Sequence, residues 1–292
     1  MILAIASGKG GTGKTTLAVN LALAHAGPVQ LLDCDVEEPN AHLFLDGEVR
    51  EQRTVGLPVP VVDETRCQAC GECGRVCAYH AIVSFGTVPL VFPELCHSCG
   101  GCALACPERA IREVERPLGV VEVRESRHVT LITGRLNVGV ATAPPLVRAV
   151  KAARRPELPA ILDAPPGTSC PVVATLRDAD AVLLVTEPTP FGLHDLELAA
   201  STVRSLGLPH GVVVNRMGSG DDRVQRWCAR EGVPLLLELP DDRRVAEAYS
   251  RGEAIVDAVP GYRERLAGLW ARLADPATAL ARTAPARAAE AP

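Results

Sequence analysis

Aromatic side chains are scarce in this chain. They make up 3% of 292 residues, as two tryptophans, three tyrosines and four phenylalanines, and there are only two methionines. A core built around stacked rings is therefore excluded, and the 47% hydrophobic fraction must fill the interior mainly with Ala, Val and Leu. No apolar run approaches the ~20 residues needed to span a bilayer, and no leader-like segment precedes the first strand pattern. The expectation is a soluble, cytoplasmic protein with no membrane partner. Neither sign of charge dominates, since 30 basic and 35 acidic residues give a net charge of −5. That balance offers no global attraction to nucleic acid or anionic lipid. The length has room for one large α/β domain and a small module.

Cysteine, by contrast, is abundant. Eleven thiols in such a compartment point to metal binding or catalysis and away from disulfides. Eight of them fall in two runs, Cys67-x-x-Cys70-x-x-Cys73-x-x-x-Cys77 and Cys96-x-x-Cys99-x-x-Cys102-x-x-x-Cys106-Pro107, and each cysteine recurs after 29 residues. The echo continues past the ligands, because Cys77-Ala-Tyr-His-Ala-Ile82 parallels Cys106-Pro-Glu-Arg-Ala-Ile111. A Cys-x-x-Cys-x-x-Cys loop can wrap three corners of a cubane while backbone N–H groups donate to its sulfides. Zinc held by paired Cys-x-x-Cys is the main alternative, but zinc motifs rarely carry the third x-x-Cys and the x-x-x-Cys tail. The segment is similar to a bacterial two-cluster ferredoxin. That resemblance implies one [4Fe–4S] cluster on Cys67, Cys70, Cys73 and Cys106, and a second on Cys96, Cys99, Cys102 and Cys77. Ala78 stands where that pattern has the proline that follows Cys106. Val83 to Phe85 and Val88 to Val91 suit a small hairpin between the motifs.

The amino terminus carries a second motif. Ile2 to Ala6 is an apolar run of strand length, and Gly8-x-x-x-x-Gly13-Lys14-Thr15 follows it with the spacing of a phosphate loop running into a helix from Thr15 to Ala26. In that arrangement Gly8, Gly10, Gly11, Thr12 and Gly13 bring backbone N–H groups to phosphate oxygens. Lys14 neutralises charge between the β- and γ-phosphates, and Thr15, followed by Thr16, is placed for Mg²⁺. Lys9 lies inside the loop. The stretch Gly8-Lys9-Gly10-Gly11-Thr12-Gly13-Lys14-Thr15 resembles the deviant Walker A of the MinD, ParA and nitrogenase iron protein superfamily. There the extra lysine reaches the phosphates, often those of an opposed subunit, so Lys9 is expected to act as an arginine finger does.

Later segments extend the resemblance. Val29 to Leu32 reads as a buried strand ending at Asp33-Cys34-Asp35, which looks like the family's first switch, with Asp35 orienting the attacking water. Ala160-Ile-Leu-Asp163-Ala-Pro-Pro-Gly167 looks like the Walker B segment and second switch, with Asp163 on the Mg²⁺ water shell and the Gly167 N–H facing the γ-phosphate. Further strands end at Asn215-Arg216 and Pro240-Asp241, where the family contacts adenine, and the absence of Asn-Lys-x-Asp favours ATP over GTP. Asp195 matches an aspartate that begins the corresponding family helix, and helix capping explains it as well. His194 reads as a surface or capping residue. Cys34 and Cys228 read as packing residues, whereas Cys170 is open between a dimer-bridging cluster ligand, an exposed functional thiol and an inert loop residue. Tyr262 to Leu273 forms a helix whose stripe of Leu266, Leu269, Trp270 and Leu273 suits docking on the core.

The expected architecture is α/β. A mostly parallel P-loop sheet flanked by helices occupies 1–61 and 116–274, a small α+β ferredoxin-like insert occupies 62–115, and a tail follows over 275–292. The resemblance implies an ATPase using ATP, Mg²⁺ and two [4Fe–4S] clusters. It would work as a homodimer, or as a heterodimer with a paralogous ATPase, coupling hydrolysis to low-potential electron transfer toward a redox acceptor. The competing function is an iron–sulfur carrier that delivers clusters to apo-proteins. A spatial organiser of the MinD or ParA kind is disfavoured, since no basic DNA-binding face or lipid-seeking helix is evident.

Overall fold

The computed structural model describes residues 1–274 and 280–281. Apart from Leu280 and Ala281, the expected tail lies outside the described residues. Those two belong to the fold: Leu280 packs against the core, and Ala281 forms an antiparallel bridge with His210.

The described residues form eleven strands and ten helices. The strands are β1 (Ile2–Ala6), β2 (Val29–Asp33), β3 (Glu48–Val62), β4 (Ile82–Val83), β5 (Leu90–Val91), β6 (Ile111–Ser126), β7 (Val129–Leu136), β8 (Ala160–Asp163), β9 (Ala181–Thr186), β10 (His210–Met217) and β11 (Leu235–Pro240). The helices are α1 (Lys14–Ala24), α2 (Glu72–Val76), α3 (Gly101–Leu104), α4 (Pro144–Ala152), α5 (Cys170–Leu176), α6 (Pro190–Ser205), α7 (Arg223–Glu231), α8 (Arg243–Ser250), α9 (Ile255–Ala258) and α10 (Tyr262–Ala274). Nine strands form one sheet in the order β11-β10-β9-β1-β8-β2-β7-β6-β3. It is parallel from β11 to β7 and antiparallel at its last two joins.

The parallel strands are apolar along their length because both faces are covered. Period-two alternation then sorts their side chains into two cores. Leu3, Ile5, Leu31, Ile161 and Leu183 face one layer, with α1 and α10, while Ala4, Leu32, Leu162, Leu184 and Val212 face the other, with α4 to α7. Helix α1 is buried nearly all round and ends at Ala24, two residues before the expected Ala26. Its exposed-looking polar groups are tied down instead. Asn20 Oδ1 accepts the Val256 N–H at 3.0 Å, and Trp270 Nε1 donates to the Leu21 carbonyl at 2.8 Å. The Trp270 bond and the burial of Leu266 and Leu269 dock α10 on α1, as its apolar stripe predicts.

The sheet extends beyond expectation at one edge. Strands β3 and β6 run 15 and 16 residues and pair antiparallel from Glu48↔Glu125 to Val62↔Ile111. Beyond β7 they project as a two-stranded ribbon, and the cysteine segment fills the span between their ends. Pro58 and Pro60 argue against a central strand, and β3 tolerates them because it is the sheet edge. The small hairpin pairs Ile82↔Val91 and Val83↔Leu90, not residues 83–85 with 88–91. Ile82 is 1% exposed and packs with Ile111 and Cys73, so burial of Ile82 sets the register.

Candidate nucleotide site and cysteine module

In a parallel sheet with helices on both faces, ligand chemistry gathers at the carboxyl ends of the strands. Here one cavity at that edge is lined by Gly10, Gly11, Gly13, Lys14, Thr15 and Thr16 after β1, Asp35 after β2, Asn215 and Arg216 on β10, and Pro240 and Asp241 after β11. Residues that are 230 positions apart in the chain thus share one wall. Glu38, Asn40, Asp242 and Tyr249 also line it, and none of these carried a recognisable spacing in the sequence.

The loop before α1 is held in shape by a few contacts. Gly13 adopts φ +93°, and a Cβ there would lie 2.5 Å from Asn215 Nδ2, so glycine is required twice over. Asn215 Nδ2 donates to the Thr12 carbonyl at 2.9 Å, and Asn215 Oδ1 accepts the Arg216 N–H at 3.0 Å. The residue expected to read adenine thus also clasps the phosphate loop to β10 while lining the cavity. Thr12 is buried behind the loop, and its hydroxyl has no partner. Gly8 is also outside the cavity lining. A Cβ on it would come within 2.1 Å of the Asp195 carbonyl oxygen, which makes Gly8 the contact between loop and α6. Asp195 does not begin that helix, as its sequence position suggested: α6 starts at Pro190, with Thr189 Oγ1 accepting the Gly192 N–H at 3.0 Å as the cap.

Three carboxylates gather under the loop. Asp33 is fully buried and accepts N–H groups from Asp35, Asn40 and Ala41 at 3.2, 3.0 and 3.0 Å, which anchors the segment bearing Asp35. Asp35 lines the cavity, and burial raises its pKa, with Lys14 pulling the other way. Asp163 is 0% exposed, and neither carboxylate oxygen completes a hydrogen bond of proper geometry. Burial pushes its pKa up to about 7, although the Thr15 hydroxyl and the Lys14 ammonium face it and act to lower it. An acidic group left unpartnered at the foot of a phosphate loop, opposite a threonine hydroxyl, is a donor set suited to a hydrated divalent cation. Lys14 is itself buried, which lowers its pKa against the pull of Asp163 and Asp35. Gly167 at φ +90° donates its N–H to the Ser7 carbonyl at 3.0 Å, so the amide expected at the γ-phosphate is bonded elsewhere here.

Lys9 is turned away from this cavity. Its Nζ lies 3.1 Å from Glu187 Oε2, while Arg216 Nη1 donates to Glu187 Oε1 at 2.7 Å. Glu187 follows β9 and was not singled out from the sequence, because a single acidic residue at a strand end carries no pattern.

The eight cysteines form two groups. Cys67, Cys70, Cys73 and Cys106 line one hollow with Val62, Pro89 and Ile111. Burial raises the Cys73 thiol pKa, and Cys70 and Cys106 add like-charge contributions; Cys102 is raised by burial, with Cys96 and Cys77 adding. The fourth thiol of each run therefore crosses to the other. The backbone repeats with the sequence. Ala69 and Ser98 donate N–H to Cys67 and Cys96 Sγ at 3.4 Å each, and Ala81 and Ala110 donate to Cys77 and Cys106 Sγ at 3.3 and 3.2 Å. Four of the seven non-glycine residues with positive φ among the described residues are Ala69, Ser98, His80 and Arg109, two pairs 29 apart. Such backbone is costly, and it aims amides at sulfur. Burial acts to raise the Cys77 thiol, but the amides of Tyr79, Ala81, Ile82 and His80 outweigh it and hold the pKa down. Amides directed at thiolate sulfur are what cysteine ligands of a cluster require, so the chemistry of the two thiol sets is compatible with cluster ligation. Among the described residues no three Cys, His, Asp or Glu side chains converge as on a single metal ion.

The remaining thiols differ. Cys34 is fully buried and its pKa is raised by that burial, Cys228 is pushed up to about 11 by burial, and Cys170 is exposed at the first residue of α5. His194 is exposed on α6.

A strand, a glycine loop and a helix, with lysine, threonine and a buried aspartate at the carboxyl edge of a parallel sheet, define a P-loop nucleotide-binding protein. The chain belongs to the CobQ/CobB/MinD/ParA nucleotide binding domain family, whose family model matches residues 3–255. It is 32% identical over 263 residues to the uncharacterized protein MJ0579 of Methanocaldococcus jannaschii, covering 88% of this chain and 91% of that one. A short match, 55% identical over 47 residues, covers 15% of this chain and 13% of an iron-sulfur cluster carrier protein of Synechocystis. Its fold is similar to that of the septum site-determining protein MinD of Pyrococcus horikoshii in complex with Mg-ADP, with a TM-score of 0.59, 20% identity and coverage of 94% and 96% of the two chains. Among the described residues no helix is long and apolar enough to cross a membrane.

Proposed function

We propose that the chain is an ATP-hydrolysing iron–sulfur protein, a nucleotide-gated dimer in which hydrolysis governs low-potential electron transfer through two [4Fe–4S] clusters to an acceptor. The observation that carries this reading is the placement of the cysteine repeat between β3 and β6, two strands of the nucleotide sheet itself. A second contact ties the modules. The Leu136 N–H donates at 2.8 Å to the carbonyl of Val36, next to Asp35, and residues 139–142 beyond it surround a hollow with Pro93, Glu94, Leu95 and Cys96. Movement at Asp35 therefore has a route, hydrogen-bonded as far as Leu136, toward the loop that carries Cys96.

In this reading Gly10 to Thr16 cradle the triphosphate, Lys14 lies against its β- and γ-oxygens, and Thr15 and Asp163 hold the Mg²⁺ and its waters. Asp35 orients a water in line with the γ-phosphorus. The new P–O bond forms as the bond to the β,γ-bridging oxygen breaks, giving ADP and phosphate, with the proton of the attacking water leaving on phosphate. Arg216, Pro240 and Asp241 border the base, with Asn215 behind them. Cys67, Cys70, Cys73 and Cys106 would hold one cluster, and Cys77, Cys96, Cys99 and Cys102 the other. When bound, each supplies a centre that takes up and releases one electron. The partner is a second copy or a paralogous ATPase.

The test is anaerobic purification with iron counting and EPR with and without ATP, followed by hydrolysis rates with oxidised and reduced clusters and with candidate acceptors. A rate indifferent to cluster redox state and acceptor refutes coupling. The short likeness to an iron-sulfur cluster carrier favours one second reading, delivery of clusters to apo-proteins. Transfer of labelled iron to an apo-acceptor separates the two, since ferredoxin-type ligation by four thiols per cluster retains its iron.

A further inference from the structure

Glu187 is held rigidly. Its carbonyl accepts the Thr189 N–H at 2.8 Å, Thr186 Oγ1 donates to the Gly192 carbonyl at 2.7 Å, and a Cβ on Gly192 would come within 2.2 Å of the Glu187 carbonyl oxygen. Its carboxylate is thus presented by a strand end locked to the first turn of α6, with the side chain only 11% exposed. On one side it takes the Lys9 ammonium and on the other the Arg216 guanidinium. The Lys9 backbone is fixed too, since Ser7 Oγ donates to its carbonyl at 2.6 Å. The Lys9 side chain is one-third exposed, 33%, and its chain neighbour Gly10 lines the phosphate cavity, so the ammonium has both Glu187 and that cavity beside it.

We propose that Glu187 is a positioning residue of the nucleotide site: its carboxylate holds the Lys9 ammonium off the phosphates and pins Arg216 at the base end of the same cavity. This rests on the ATPase reading above. The double pairing makes release of Lys9 inexpensive. A nearly buried carboxylate stripped of its only cation would be strongly unfavourable, but Arg216 remains when Lys9 leaves. Lys9 in turn exchanges one anion for a more highly charged one, so neither charge is left unpaired. The triphosphate, with its extra γ-phosphate charge, competes for Lys9 better than the diphosphate does, and Glu187 sets the threshold of that competition.

The test is the ratio of ATP to ADP affinity, measured with fluorescent nucleotide analogues and Mg²⁺ on the full chain purified anaerobically. The variants are Glu187→Gln, Glu187→Asp, Lys9→Ala and the Lys9→Ala/Glu187→Gln pair. Glu187→Gln is expected to raise ATP affinity about tenfold over ADP, the size of one charge-assisted hydrogen bond released. That gain disappears when Lys9 is alanine, and Glu187→Asp stays near the parent. An unchanged ratio in Glu187→Gln, or a change that persists without Lys9, overturns the proposal, and a purely structural role gives the second result. Failure of the parent chain to bind any nucleotide refutes instead the ATPase reading, and this proposal with it. Should Glu187→Gln fail to fold, Glu187→Asp is compared in the parent and in a Lys9→Ala background, where the proposal requires Glu187 to be silent: a ratio there equal to that of Lys9→Ala alone supports it, and a ratio shifted from that of Lys9→Ala overturns it.

Discussion

Replacing Asp163 with Asn is expected to abolish Mg²⁺-dependent hydrolysis and yet stabilise the nucleotide-free protein at alkaline pH. Asp163 is 0% exposed, has no well-formed hydrogen bond to either oxygen and titrates near 7 in place of 3.8. Between those two values the folded chain keeps a proton that the unfolded chain has lost. Stability therefore falls as pH rises from about 4 to about 7 and levels off above, the reverse of an ordinary salt-bridged carboxylate. At ~1.4 kcal/mol per pH unit, the ionised group costs ~4 kcal/mol at pH 8 and about half of that at pH 5.5. Asparagine has no such dependence, and removing the Asp163 charge also relieves buried Asp33, whose pKa that charge helps to raise, so the effect belongs to the pair. Urea unfolding of both proteins, anaerobic and with EDTA to remove Mg²⁺, should show the variant gaining ~2 kcal/mol more at pH 8 than at pH 5.5. Any fixed cost of the amide cancels in that difference. A gain independent of pH, or larger at pH 5.5, would refute the account of Asp163 as a strained, cation-awaiting carboxylate.

The same titration predicts that Mg·ATP affinity rises up to about tenfold per pH unit between pH 5.5 and 7, then flattens, because Asp163 must lose its proton to meet the cation; calorimetry at several pH values checks this. Gly8→Ala forces a methyl to 2.1 Å from the Asp195 carbonyl oxygen, so the phosphate loop and α6 must separate, at ~1–3 kcal/mol in thermal unfolding and with weakened nucleotide binding. Cys106→Ser removes the crossing ligand of the first thiol set. About half of the iron should be lost, with the EPR signal of the remaining cluster losing its spin-coupled broadening, whereas loss of all iron would contradict two separable sites.

The motifs were legible in the sequence because each depends on neighbours in the chain. Lys14 and Thr15 follow a glycine loop, and the 29-residue repeat reappears as paired left-handed residues and paired N–H···S bonds. The buried strands were legible because a parallel strand covered on both faces is apolar throughout. Strand β3 was not. Its exposed residues and two prolines resemble a loop, and only pairing with β6 makes it a strand. Asp195 was misplaced by five residues because the helix signal begins at the Thr189 cap.

The sequence by itself determined which chemistry the chain carries: a phosphate loop, acidic strand ends and two repeated thiol runs, all encoded in short-range spacing that dictates local backbone shape. The tertiary structure alone decided what those groups touch. Strand order brings Glu187 against Lys9, turns Asn215 onto Thr12 and leaves Asp163 dry and unpartnered. Those contacts join residues up to 203 positions apart, and such pairings depend on which strands lie side by side in the sheet, a property no local spacing records.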